Sequence, residues 1–236
     1  YELYTTHEHL EIVPDKTVLW KYMDFLKFAY LIETKTLWFN RIDKFKDVYE
    51  GTYPHANTVL RPEVYGKGNV IPEATYATME NYGRSRMYVS CFHADSFESA
   101  AMWSLYSESA GVAIKTDAAR LQNSFKAEKR DIFISPVKYA DYDVDFLPEG
   151  NVLYLGLYKR MSFSHENEVR CLYLHQEDTP PNEFGYAISV DIPELITAVY
   201  ISPYAPSYAE ETVKLLMQQS GYNIPIIKSK LYEFNR

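Results

Sequence analysis

Residues 164–174 read Ser-His-Glu-Asn-Glu-Val-Arg-Cys-Leu-Tyr-Leu, two carboxylates and a guanidinium at the head of an apolar run. Val, Cys, Leu and Tyr in succession favour a strand. The strand's period of two then puts Glu166, Glu168 and Arg170 on one face. Charges on a strand that is otherwise buried are costly unless they are paired or used. Any fold open to this chain must therefore bring partners, or a substrate, to that face. The residues alone allow a ladder of ion pairs that pins register, or a reactive site.

Strand and helix signals alternate along the rest of the chain without an internal repeat. Residues 17–22 read as a strand, and Asp24 caps a helix to about residue 33 with apolar side chains at 25, 26, 28, 29 and 32. Further strands are expected over 37–39, 87–92, 111–117, 132–139 (bent or broken at Pro136), 187–191, 196–201 and 224–232. Helices are expected over 98–106, from Asp117 to about 125, over 151–161, and over 208–220, where Gly221 ends the last one. Pro54, Pro62, Pro72, Gly66 and Gly68 mark residues 52–82 as an irregular insert, a long polar loop or a weak helix. No composition shift marks a linker. The expectation is one α+β domain over 1–236, a mixed and mostly antiparallel sheet with several flanking helices.

A net charge of −8 argues against a general nucleic-acid coat, although not against a small basic pocket for a nucleotide. Twenty-two Tyr and 12 Phe suit strands and half-wet aromatic pockets. Cys91 and Cys171 sit in apolar runs without metal-ligand spacing, as expected of buried free thiols in a reducing cytoplasm. No apolar stretch reaches membrane-spanning length, and the start lacks a leader pattern. No membrane partner and a cytoplasmic location are expected.

Five blocks occur in order: Leu37-Trp-Phe-Asn-Arg41 with Phe45, Asp47, Glu50 and Gly51; Val89-Ser-Cys-Phe92; Glu98-Ser99 with Met102, Trp103 and Tyr106; Gly111-Val-Ala-Ile114; and Glu166-Asn-Glu-Val-Arg170 after Lys159. Together they resemble a bacterial and phage family of domains of unknown function. Its blocks are an F-x-D-x-x-E turn, an S-C-F strand, an M-W-x-x-Y helix and an E-x-E-x-R strand. The resemblance runs from about residue 20 to 234.

The order Arg41, Ser90, Glu166-x-Glu168 is also similar to ADP-ribosyltransferases of the Arg-Ser-Glu type. That resemblance implies that Arg41 holds the diphosphate of NAD and that Ser90 orients its nicotinamide side. Glu168 would steady the ribosyl cation and Glu166 would activate the acceptor. The physical logic agrees, because a developing cation calls for a preplaced carboxylate and a diphosphate for a forked guanidinium. Trp103 and Tyr106 would stack a ring of the ligand, and Arg170 would hold a carboxylate in place. Ser90 departs from the pattern in being followed by Cys91-Phe92. The leading expectation is ADP-ribosyl transfer or NAD glycohydrolysis by a toxin or phage-defence effector, with NAD as substrate and no metal. The macromolecular acceptor and the oligomeric state are not legible. Two alternatives stand beside it: a non-catalytic nucleotide- or nucleic-acid-recognition domain built on Trp103, and a metal-dependent phosphoesterase using Asp47 and Glu50 with Glu166 or Glu168. His93 and His165 read as ordinary hydrogen-bonding side chains, and Asp141, Asp143 and Asp145 as a solvated turn.

Overall fold

The strand β3 (Met87–Ala94) organises the molecule, because two sets of strands share one of its edges. Along its other edge β8 (Glu168–Leu174) pairs antiparallel over the full length, from Met87 opposite Leu174 to His93 opposite Glu168. β5 (Phe133–Pro136) continues the sheet beyond β8. On the shared edge, β1 (Val18–Asp24) meets β3 at Trp20–His93 and Leu19–Ala94, while β2 (Thr36–Arg41) meets it at Arg41–Tyr88 and Asn40–Val89. β4 (Gly111–Asp117), β10 (Ala198–Ile201) and β11 (Ile226–Lys228) extend from β1, and β9 (Gly185–Ser189) extends from β2. The sheet therefore forks beside residues 90–92. Lys21 bridges the fork, its Nζ donating to Ser90 Oγ at 2.9 Å and to the Cys91 carbonyl at 3.0 Å. The chain is represented by a computed structural model that describes residues 10–107 and 111–233. The first residues, read above for a leader, lie outside them.

The architecture is α+β, with a mixed, mostly antiparallel sheet. Alternation sorts each strand onto two faces. Tyr88 and Phe92 of β3 and Val169, Cys171 and Tyr173 of β8 join the larger core. Against that core lie α1 (Phe25–Thr34), α5 (Ala118–Ser124), α6 (Ile192–Leu195) and α7 (Ala209–Gln219), through Phe28, Leu121, Leu195 and Val213 among others. Asp24 and Asp117 cap α1 and α5 as expected, accepting from Lys27 N and Arg120 N. The opposite face carries two smaller apolar clusters. One gathers Met87, Val89, Leu155 and Leu172. The other packs Trp103 of α4 (Ala100–Tyr106) against Trp20 and Tyr22. Between them, on the same face, lie Glu168 and Arg170.

Several expectations are corrected. Residues 52–82 are not irregular: they hold α2 (His55–Val64) and most of α3 (Glu73–Arg86), each preceded by a proline. Arg61 ties the two together, with its guanidinium 3.6 Å from the Tyr76 ring centre, a bond to Glu73 and a 2.7 Å bond to Glu149. Residues 151–161 form a short 3₁₀ turn, Val152–Gly156, then the strand β7 (Tyr158–Arg160) beside β6 (Lys138–Ala140). Glu166 is not in the strand that carries Glu168 and Arg170. It closes a second 3₁₀ turn, and Asn167, with φ 38°, turns the chain into β8.

Candidate active site

The strand register places Glu168 and Arg170 on the face of β8 that carries His93 and Cys91 of β3 as their cross-strand partners. Partners for the three charges arrive from elsewhere. The acidic turn after β2 brings Glu50, which accepts from both terminal nitrogens of Arg170 at 2.9 and 3.0 Å. Arg170 also donates to the Gly156 carbonyl at 3.0 Å and, through Nε, to Glu168 at 2.5 Å. β7 brings Lys159, whose ammonium reaches Glu168 at 2.7 Å, Glu166 at 2.8 Å and Glu50 at 3.2 Å. All five groups are buried: Arg170 is 0% exposed, and Glu166 and Glu168 are 5% exposed. Tyr139 adds a hydroxyl that accepts from Glu168 N at 2.9 Å.

One ammonium thus holds two carboxylates side by side, and their environments differ. Burial, then the adjoining Glu168 carboxylate, push the Glu166 carboxyl up to about 7 against the pull of Lys159. Burial also opposes ionisation of Glu168, but Arg170, the bond to Glu166 and Lys159 outweigh it and hold that carboxyl well below its ordinary range. Lys159 and Arg170 are kept charged by the same carboxylates, Glu168 foremost, against the burial that disfavours them. The result is one carboxyl held low beside one pushed up to about 7, an arrangement that can support acid–base chemistry. Burial raises the Tyr106 phenol, and Glu166 and Glu168 raise it further. Tyr106, 43% exposed, therefore stands at the solvent side of the pair. Phe163 lies there too, with Lys159 Nζ 4.7 Å and the Arg160 guanidinium 5.4 Å from its ring centre.

The expected residues divide between the two faces. Glu166, Glu168, Arg170 and Tyr106 come together. Trp103 is on the same side but 0% exposed, its indole bonded to Glu98 at 2.9 Å, so it is a core residue and not a wall for a ligand. Arg41 and Ser90 are not brought to the carboxylates. Arg41 is paired with Tyr88 in register and so shares the opposite face of the sheet, where it forms a two-pronged bond to Asp43 at 2.7 and 2.8 Å. It is also about five residues, or ~16 Å, along β3 from Glu168. Ser90 alternates onto that opposite face and bonds Lys21. Asp47 and Glu50 are likewise taken by cations, Asp47 by Arg160 at 2.8 Å and Glu50 by Arg170. Among the described residues no group of three or more His, Cys, Asp or Glu side chains is arranged to hold a metal ion.

Sequence reasoning underrated Glu50, Lys159 and Lys21. The first two stand in the noted blocks, and the need to neutralise a buried guanidinium was their signal. A lysine inside Val18-Leu-Trp-Lys-Tyr-Met23 was the signal for Lys21.

No protein-family model matches the chain, and no curated protein matches it. Among solved structures the chain is similar to DarT of Thermus sp. 2.9, determined in complex with NAD⁺. The identity is 8% and the TM-score 0.43, over 94% of this chain and 100% of that one.

Proposed function

We propose that the Glu166–Glu168 pair is the centre of an enzyme that cleaves the nicotinamide–ribose bond of NAD, by ADP-ribosyl transfer or glycohydrolysis. The observation that carries this reading is the single Lys159 ammonium bound to both carboxylates. Glu168, ionised and fixed, faces the charge that develops at ribose C1′ as the bond to nicotinamide breaks and its electron pair leaves with the neutral pyridine. Glu166, deprotonated, takes the proton from the water or acceptor hydroxyl that attacks C1′. Arg160, paired with Asp47 on the side of the carboxylates, rather than Arg41 on the opposite face, is the cation that a diphosphate would draw on, and Tyr106 and Phe163 are the rings available to a base. The test is release of nicotinamide and transfer of label from adenylate-labelled NAD, with and without cell lysate as a source of acceptor. Wild type releases nicotinamide and Glu166→Gln lowers the rate by ~10²-fold or more. Equal rates in the two proteins overturn the reading.

A second reading rests on a different observation. Trp38, Arg130, Tyr173, Asn182 and Tyr186 line a groove of about 470 Å³ beside the edge strand β9. This groove, not Trp103, supports a non-catalytic role in binding a nucleotide. Binding of AMP or NAD that Trp38→Ala weakens and Glu166→Gln leaves intact favours it over the first reading.

A further inference from the structure

Arg120 of α5 is a cation without a counter-ion. Its Nη2 donates to the Pro193 carbonyl at 2.5 Å, its Nε is buried and makes no hydrogen bond, and no described residue sets a carboxylate in ion-pair contact with the guanidinium. Asp117, the nearest acid in sequence, instead caps α5 by accepting from Arg120 N at 2.9 Å. A guanidinium keeps its charge at any pH the fold survives and can only donate, so what Arg120 lacks is an acceptor, and an anionic one. A buried donor without a partner costs stability, and a ligand that accepts from it removes that cost.

Space for such a ligand lies beside it. Arg120 lines a pocket of about 420 Å³ together with residues of α6 and of the segment after α7, and among the described residues it is the one charged member of that lining. Ile196, Tyr222, Ile224 and Pro225 give the pocket apolar walls, and the exposed Asn223 offers a side-chain amide. The volume is too large for a bare inorganic ion and falls within the range of small-molecule sites. One guanidinium balances one negative charge. The pocket also lies where α7 ends, at Ser220 and Gly221, and the negative end of the helix dipole there opposes a dianion.

We propose that this pocket binds a small organic monoanion, a carboxylate with an apolar body. The carboxylate meets Arg120 and Asn223, and the body packs against Tyr222 and Ile224. None of these residues belongs to the Glu166–Glu168 site, so the proposal stands or falls independently of the reaction assigned to that site.

The test titrates benzoate, benzamide and phenyl phosphate into the whole chain, following by NMR the amides of residues 221–224 and the Arg120 Nε–H. Benzoate is expected to shift these signals saturably and to bind at least about tenfold more tightly than its neutral isostere benzamide, the worth of one charge-assisted hydrogen bond. Arg120→Gln should weaken benzoate binding by a similar factor while the rest of the spectrum stays in place. Asn223→Asp, at an exposed position, sets a negative charge beside the ligand and should weaken benzoate binding with Arg120 intact, so the test holds even if Arg120→Gln fails to fold. Equal binding of benzoate and benzamide, unchanged benzoate binding in Asn223→Asp or in folded Arg120→Gln, or no saturable shift with any probe overturns the proposal. Tighter binding of phenyl phosphate than of benzoate overturns the assignment to a monoanion.

Discussion

Glu166 and Glu168 touch the same ammonium and titrate in opposite directions, which has consequences for stability as well as for chemistry. The ordinary value for Glu166 is near 4.5, and its folded value is about 7. A carboxyl raised on folding binds its proton more tightly in the folded state, so its contribution is present below the ordinary value and is lost as pH rises through the folded one. Glu166→Gln removes that loss. Its melting temperature relative to wild type is expected to improve between pH 5 and pH 8.5; a constant difference would contradict the protonation assigned here. Glu50 acts differently, since it neutralises a guanidinium that has no solvent. Glu50→Gln should cost ~3 kcal/mol in a denaturant melt, because removing one partner leaves a buried charge uncompensated. At this scale the sequence was legible to the point of demanding partners for Arg170. It could not name Glu50 and Lys159 over other charges, because that choice depends on a turn and a strand far away in the chain.

The elements show where local signals decide and where tertiary packing overrides them. α1, α5 and α7 stand close to where caps and apolar periodicity put them, because Asp24, Asp117 and Gly221 act within a few residues. α2 was left undecided between a loop and a weak helix because it depends on distant bonds: Asn57 donates to the Leu147 carbonyl at 2.7 Å and Arg61 to Glu149 at 2.7 Å. The stretch Val152–Gly156 looked like the start of a helix, yet Gly156 sits so close to β3 and β8 that a Cβ there would lie 2.3 Å from Met87 Sδ and 2.9 Å from Leu172. Gly156→Ala should therefore destabilise by ~1–3 kcal/mol, as overpacking does, and should loosen Arg170, which bonds the Gly156 carbonyl. An unchanged melt would mean that this close approach is not real. Asn167 performs a comparable local task. Its left-handed backbone separates Glu166 from the period of β8, which the sequence pattern had extended through it. Asn167→Gly should be tolerated within a few tenths of a kcal/mol, whereas Asn167→Val should cost ~1–2 kcal/mol on thermal or chemical unfolding.

Across the whole molecule, the forked sheet explains both what the order of motifs revealed and what it concealed. The α+β class and most strands were legible from periodicity. So was the need for charged partners at the segment holding Glu168, since buried charge is rare enough to be informative in one dimension. The face on which a residue lies was not legible between strands, because pairing register, not sequence order, decides it. Register puts Arg41 and Ser90 on the side of the large core and the carboxylates on the other. The Arg-Ser-Glu order therefore does not form one constellation here, and the proposed site is instead assembled from the Glu50 turn, β7, the Glu166 turn and β8. The central claim is that this assembled face acts on NAD. The most direct test is quantitative release of nicotinamide from NAD by the folded wild-type protein and by Glu166→Gln across pH 5–9. Release that rises as pH passes about 7 in wild type, and is low and without that rise in the variant, is the expected result. No release by wild type at any pH, or the same rising profile in both proteins, would contradict it.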